Sequence, residues 1–543
     1  MSTDDPTPSP PALPSTIPML TLLLAAALAS PPPLYLVVHP PALAPAAADF
    51  AALRADVWTP RTLEVPPAEE PASLRRRLRD ALLAHAAEPG ASLSGAAVLL
   101  LGDADALPPW RFHQHDASLF DRDDPAFASD HPFQLLDDAD EIPDFALGRI
   151  PARDNAQARA LLAKTRDYEA DPDVGPWLTR VAYIAGEGRF GPMDRILERM
   201  FLLMIDAYLP PSLDVRAAYA KPTSRYCPPP ESLPELTLAS LDDGALLFNY
   251  VGHASQRALD RMAWRGRAFP ILRRADVESA RRPARARTPV ALFTCCSVGW
   301  FDLPGGEPSL GETILFAPAG SLTVIAGSRP THPYGNAVFQ KELTAAVLRD
   351  DLATVGEADL AATRALLSPG TGDAELDTLS RAIALAMRWP TTLEDHRLMH
   401  ARLYNLLGDP AARIRRPALG RATLELTPDN LSVRFDDLAT GSATLFVETA
   451  RTSSARAGDL LPVHGPSDPD LPAKLAHNFP LATDRVLWRS TVPVADSRAS
   501  WPLSLPPNAR VLRVEAFGID ALARPTAAAD ALLLPDTPRP NPK

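Results

Sequence analysis

Cysteine is scarce in this chain: Cys227, Cys295 and Cys296 are the only three among 543 residues. That excludes a disulfide framework, and no pair has metal-ligand spacing beside a histidine. Adjacent cysteines rarely bond to each other, because the link strains the peptide between them. Cys295 and Cys296 therefore read as free thiols, suited to a reducing compartment or to chemistry. No strongly basic domain stands out. The net charge is −12 and the pI about 5.5, so no nucleic-acid partner is expected. No apolar run is long enough to cross a bilayer as a helix, and no stable membrane span is predicted. One short apolar block, residues 17–29, has the length of a signal peptide, and Ala27-Leu28-Ala29 resembles a cleavage site. Yet the first basic residue is Arg54, and Asp4 and Asp5 stand in front of the block. A missing positive leader argues against export, so a cytoplasmic location is expected first and export second. No internal repeat is visible.

Apolar bulk is plentiful, at 46% hydrophobic residues, enough for two or three domains with cores. Strands are predicted at 34–38, 61–65, 96–101, 145–151, 181–185 and 215–219, with helices at 50–57, 71–87, 155–169, 193–208 and 228–239. Further strands are predicted at 246–251, 290–294 and 321–326, then helices at 337–349, 352–366, 377–387 and 395–406. Helix following strand points to a mostly parallel sheet flanked by helices. After Gly408-Asp409-Pro410 the pattern becomes short strands with turn-rich spacing, the signature of a small β-sandwich, with no titratable cluster that reads as a site. Residues 104–143 read as a loop. Its 116–140 portion is rich in Asp, which offers a structural Ca²⁺ site; a solvated acidic loop is favoured because the spacing is not that of an EF-hand. His113 and His115 read as a surface pair rather than as metal ligands.

Two stretches concentrate the chemistry. Leu246–Ser255 and Val290–Asp302 are apolar runs that each stop at a small-residue turn bearing a reactive side chain, His253 in one and the cysteine pair in the other. Side by side, such strands place a histidine and a thiol at the carboxyl edge of a sheet, where α/β folds build sites. A thiol needs a base or a cation to act as a nucleophile at neutral pH. His253 can supply that function and later protonate a leaving amine. Gly252 lets a substrate carbonyl approach, and its N–H with that of the nucleophilic cysteine forms a candidate oxyanion hole. Successive strand residues point to opposite faces, so only one cysteine can face His253. The bland alternative is two ordinary buried strand ends.

These segments resemble the gingipain family of cysteine peptidases, in the caspase-like clan. Asn249-Tyr250-Val251-Gly252-His253-Ala254-Ser255 resembles the family's histidine motif, with Ala254 where the family usually has Gly. Cys296-Ser297-Val298-Gly299-Trp300-Phe301 resembles its C-x-x-G-x-F, which selects Cys296 over Cys295. Glu312 after Ser309-Leu310-Gly311, Val324–Ser328 and Leu407–Pro410 match later segments. Leu100–Asp103, Ser129-Asp130 and Gly148–Pro151 match earlier ones. The resemblance implies Glu187 as the acid supporting the catalytic histidine, Asp194 at the base of a pocket for a P1 Arg or Lys, and Tyr334 as a pocket wall. Glu187 also has a plain reading as a solvated turn residue, and Asp194 as a helix N-terminal acid.

The expected architecture is a Pro/Ala-rich leader (1–33), an amino-terminal α/β subdomain (34–172), a catalytic caspase-like subdomain (173–417), an immunoglobulin-like β-sandwich (418–535) and a disordered tail (536–543). The expected activity is that of a cysteine endopeptidase acting on protein or peptide through a Cys296–His253 dyad, with no required cofactor. Two rivals stand beside it: a catalytically silent scaffold of the same fold, and another thiol-dependent α/β hydrolase. The Arg-rich stretch 273–287 reads as a solvated basic face, or alternatively as a self-cleavage segment at Arg282–Arg287.

Overall fold

The computed structural model describes residues 31–113, 126–188, 205 and 208–535, apart from 283–286, 350, 371, 388–391 and 420. Its centre is a sheet of ten strands. In chain order these are β1 (Leu34–His39), β2 (Thr59–Glu64), β3 (Ala97–Leu101), β4 (Ala146–Ile150), β5 (Arg180–Gly186), β6 (Asp214–Ala220), β7 (Leu247–Val251), β8 (Val290–Thr294), β9 (Thr323–Gly327) and β10 (Tyr404–Leu407). Across the sheet they lie in the order β2-β1-β3-β4-β10-β9-β8-β7-β5-β6. All neighbours pair in parallel except β9 with β10. That single antiparallel seam reverses the strands, so β9, β8, β7, β5 and β6 present their carboxyl ends together on one edge.

The central strands are continuous apolar runs because both faces are covered. Alternate residues feed two cores. Phe248 and Tyr250 of β7, with Ala291 and Phe293 of β8, enter one; Leu247, with Val290 and Leu292, enters the other. Helices Leu310–Phe316 and Pro333–Val347 supply residues to the first and second core respectively. The first of these starts at a capping box in which Ser309 and Glu312 each accept from the other's amide.

Several sequence expectations change. The helix expected at 395–406 stops at Leu403, and Tyr404–Leu407 is a strand. Its Leu content suits a helix, but the vacancy between β4 and β9 takes it as the strand that joins the two halves of the sheet. Residues 104–143 are not all loop: Trp110–His113 pairs with Ala126–Ser129 as a hairpin. The helix expected from Phe50 begins at Ala44, and along helix Pro71–Ala86 Leu74, Leu78 and Leu82 are buried while Leu83 is 46% exposed. The leader to residue 30, most of the helix expected at 193–208, and the tail lie outside the described residues.

The carboxy-terminal unit has a five-stranded and a three-stranded sheet sharing one core around Trp501, Leu445 and Val514. Strands Arg498–Pro502 and Pro525–Leu533 and helix Leu471–Thr483 were not evident in the sequence. The unit holds a buried charged cluster: Arg513 pairs with Glu448 (2.7 Å) and Glu515, and Glu515 accepts from Thr179 Oγ1 (2.8 Å). The cluster docks the unit on the main sheet beside a cavity of about 610 Å³ lined by Arg180 and Asp214.

Candidate active site

β7 lies between β5 and β8, and the register is explicit: Val251 pairs with Ala185 on one side and Thr294 on the other. Counting two residues beyond each of these three gives Glu187, His253 and Cys296. The three expected residues thus leave adjacent strands at one level, with His253 in the middle. Neighbouring strands are about 4.8 Å apart, so the arrangement is a row across the edge.

Parity separates the thiols. Cys295 continues the Ala291–Phe293 series into the first core and is fully buried. Burial raises its thiol well above the ordinary value. Cys296 is partly exposed. Its Sγ accepts the amide N–H of Thr331 at 3.4 Å and lies 3.9 Å from that residue's carbonyl. Burial pushes the Cys296 thiol up, and the amide and hydroxyl of Thr331 draw it back. Ser297 follows with a left-handed backbone (φ 59°) and donates its N–H to Arg329 O (3.1 Å). Gly299 donates to Gly327 O (3.0 Å); a Cβ there would sit 2.8 Å from Ala326 O. Asp302 forms a two-pronged pair with Arg329 at 2.8 and 2.9 Å, and the guanidinium lies 3.8 Å over the Trp300 ring.

The histidine turn is braced from the other side. Tyr250 Oη donates to His253 O (2.7 Å) and accepts from Asp260 N (3.2 Å). His253 Nε2 lies 2.5 Å from the carbonyl oxygen of Gly188. A carbonyl only accepts, so Nε2 carries a proton in this bond. The bond that orients the ring thus comes from the residue after Glu187. Glu187 itself is half-buried, and its charge contributes to raising the Cys227 thiol, which burial pushes to about 12. Gly252 (φ 151°) passes so close to Tyr250 that a Cβ would meet its Oη at 2.9 Å. Its N–H donates weakly, at 3.4 Å, to Thr294 O, whereas the amide of Cys296 has no backbone carbonyl partner among the described residues.

Tyr334 opens helix Pro333–Val347, three residues after Thr331. It is buried and receives a bond from Arg397 at 3.5 Å. Asp194 and His115 lie outside the described residues. Of the Asp-rich loop, Asp130 binds Arg149, Asp138 binds Arg75, and Asp137 and Asp140 accept amides of their own turns. Asp116, Asp121, Asp123 and Asp124 lie outside the described residues, and among those described no group of three or more His, Cys, Asp or Glu could hold a metal. Arg282 is tied to Asp242 (2.6 Å) and Glu235, and Arg287 to Asp173; Arg285 lies outside the described residues.

Sequence reasoning missed the surroundings of Thr331. His332 stacks on His396 with centroids 4.2 Å apart, and its N–H donates to His400 Nε2 at 2.8 Å. Asn336 Nδ2 donates to Thr331 Oγ1 and Tyr404 Oη donates to Asn336 Oδ1, both at 2.8 Å. The Thr331-His332 step sits just after an apolar strand that ends in Gly327, the same pattern that exposed the other two turns.

The sequence model of peptidase family C25 matches residues 28–415, more than half of the chain. The chain belongs to peptidase family C25, the gingipain family, and is a cysteine-type peptidase. A solved structure described as a protease matches with a TM-score of 0.53 at 15% identity, over 93% of this chain and 98% of that one, and shows the shared fold. The Arg-specific cysteine proteinase gingipain R matches at 14% identity and a TM-score of 0.49, over 94% and 99%. The complex of Porphyromonas gingivalis RgpB pro- and mature domains matches at 14% and 0.48, over 91% and 99%. No curated protein matches. As a C25 peptidase the chain takes protein or peptide substrates, and no helix among the described residues is long and apolar enough to cross a membrane.

Proposed function

We propose that this peptidase cuts peptide bonds with Cys296 as nucleophile and His253 as general acid and base, after Arg or Lys. The observation that carries the dyad is the register: His253 and Cys296 each stand two residues past a paired position on adjacent parallel strands. The burial that raises the Cys296 thiol means that the resting group is a thiol, so attack needs a base. The imidazole nitrogen not bound to Gly188 O takes the thiol proton as sulfur bonds to the scissile carbonyl carbon. The carbonyl oxygen then carries charge, met by the amide of Cys296 and by that of Gly252 once the latter releases Thr294 O. Collapse breaks the C–N bond, and the imidazolium returns its proton to the departing amine. Water then donates a proton to the imidazole, adds to the thioester, and frees the acid and Cys296. Glu187, at the same level just past the end of β5, supports the imidazolium electrostatically.

Specificity for a basic P1 rests on Asp194 and Tyr334 by family resemblance, since a carboxylate at a pocket base binds a guanidinium strongly. The paired carboxy-terminal sheets read as an immunoglobulin-like sandwich, a structural Ca²⁺ would belong to the Asp-rich 116–140 loop, and three free thiols fit a reducing, cytoplasmic setting. A peptide-amide library varied at P1 tests the function. Wild type should prefer Arg and Lys, Cys296→Ala should be inactive, and Asp194→Ala should lose the basic preference. A peptide-based thiol probe that leaves Cys296 unlabelled would instead favour the scaffold reading.

A further inference from the structure

The thiol of Cys296 is held by one residue of the neighbouring strand's loop. Thr331 lies four residues past the end of β9 and places its amide N–H 3.4 Å from Sγ. Its hydroxyl is already engaged as an acceptor. Tyr404 donates its phenolic hydrogen to Asn336 Oδ1, which turns the amide so that Nδ2 donates to Thr331 Oγ1. Oγ1 is then already an acceptor, and its own hydrogen remains to be given. All three residues are held firmly. Thr331 is 8% exposed and Tyr404 7%. Asn336 sits in the first turn of helix Pro333–Val347 and bonds back to His332 O at 3.0 Å. The Tyr404 ring packs 4.4 Å from Phe339.

We propose that Thr331 is a catalytic residue, its hydroxyl and amide both donating to the Cys296 sulfur, and that Asn336 and Tyr404 are positioning residues that aim the hydroxyl. When the S–H bond breaks and the proton passes to His253, two donors already point at the new negative charge. A sulfur ion that accepts fixed hydrogen bonds is favoured over its thiol, and donors set beforehand need no reorganisation during the reaction. Tyr404 begins β10, so the seam strand that joins the two halves of the sheet also sets the nucleophile's surroundings. The role rests on Cys296 being the nucleophile.

The test is the rate of alkylation of Cys296 by iodoacetamide against pH, followed on the Cys296 peptide by mass spectrometry. It is run on wild type, Thr331→Val, Thr331→Ser, Asn336→Ala and Tyr404→Phe, beside peptidase assays that include Cys296→Ala. Thr331→Val removes the hydroxyl at nearly constant volume. Its alkylation midpoint should move up by about one pH unit, and kcat at neutral pH should fall about tenfold with KM within twofold. Asn336→Ala and Tyr404→Phe should move the midpoint the same way by less, and Thr331→Ser should restore it. Should Thr331→Val fail to fold, Asn336→Ala carries the comparison. A wild-type midpoint in the variants that fold would overturn the hydroxyl's role and leave the nucleophile assignment intact. Full activity in Cys296→Ala would overturn both.

Discussion

Replacing His400 by glutamine should remove an acid sensitivity built in behind the nucleophile loop. His400 is fully buried; its Nδ1 donates to His396 O (2.6 Å) and its Nε2 accepts from His332 N (2.8 Å). Both bonds suit the neutral ring, and a proton on Nε2 would point at the His332 N–H. Burial, more than any neighbour, lowers its pKa from 6.5 to about 4. Because the fold favours the neutral form, the stability it confers is complete above pH 6.5 and drains away as pH falls toward 4. At pH 5 the loss from this one group is about 2 kcal/mol. Glutamine can still accept at the Nε2 position and cannot titrate, so His400→Gln should resemble wild type at pH 7 and lack this loss at pH 5. Urea midpoints at the two pH values measure the difference. Histidine C2 hydrogen exchange, read by mass spectrometry, gives the His400 pKa directly. A value near 6.5, or an equal acid loss in wild type and His400→Gln, would refute the reasoning.

Two further outcomes follow from the braces on the two turns. Asp302→Asn removes the charge that pairs with the buried Arg329 guanidinium, and breaking a buried pair from one side costs about 3–5 kcal/mol. It should lower the melting temperature and slow labelling of Cys296 together. Gly252→Ala must fit a methyl 2.9 Å from Tyr250 Oη at φ 151°; at an overpacking cost of about 1–3 kcal/mol it should push the His253 turn aside, reducing kcat more than KM in a peptide-amide assay.

The two turns were legible because buried parallel strands write themselves as unbroken apolar runs, and a turn of small residues follows each. Leu247–Val251 and Val290–Thr294 fall within a residue or two of the expected bounds. That only one of the two thiols can face His253 was also legible from strand parity; the choice of Cys296 came from the resemblance of Cys296–Phe301 to the family's cysteine motif, and the buried Cys295 agrees with it. The common level of Glu187, His253 and Cys296 was not, because register is a relation between strands that neighbouring residues do not encode. Thr331, His332 and His400 were missed for a related reason: the bonds from Thr331 to Cys296 and from His332 to His400 span 35 and 68 positions. The Tyr404–Leu407 strand was read as helix because local preference was the only evidence until β4 and β9 were seen to need a strand between them.

Arg149 explains why segments so far apart in the chain share one pattern. Gly148-Arg149-Ile150-Pro151, Ser129-Asp130 and Gly102-Asp103 seemed separate signals before the structure. Arg149 is fully buried and joins them: its guanidinium grips Asp130 at 2.6 and 2.7 Å and donates to Gly102 O at 3.2 Å. The same group lies 5.0 Å over Phe301, the aromatic of the cysteine motif, while Asp130 N donates to Asn405 Oδ1 in the seam strand (2.8 Å). A buried guanidinium is tolerable only when its donors are matched by fixed acceptors. Each contributing segment must therefore keep its own place for the others to keep theirs. The amino-terminal half, though distant in sequence from Cys296, is by this route a direct support of the turn that carries it.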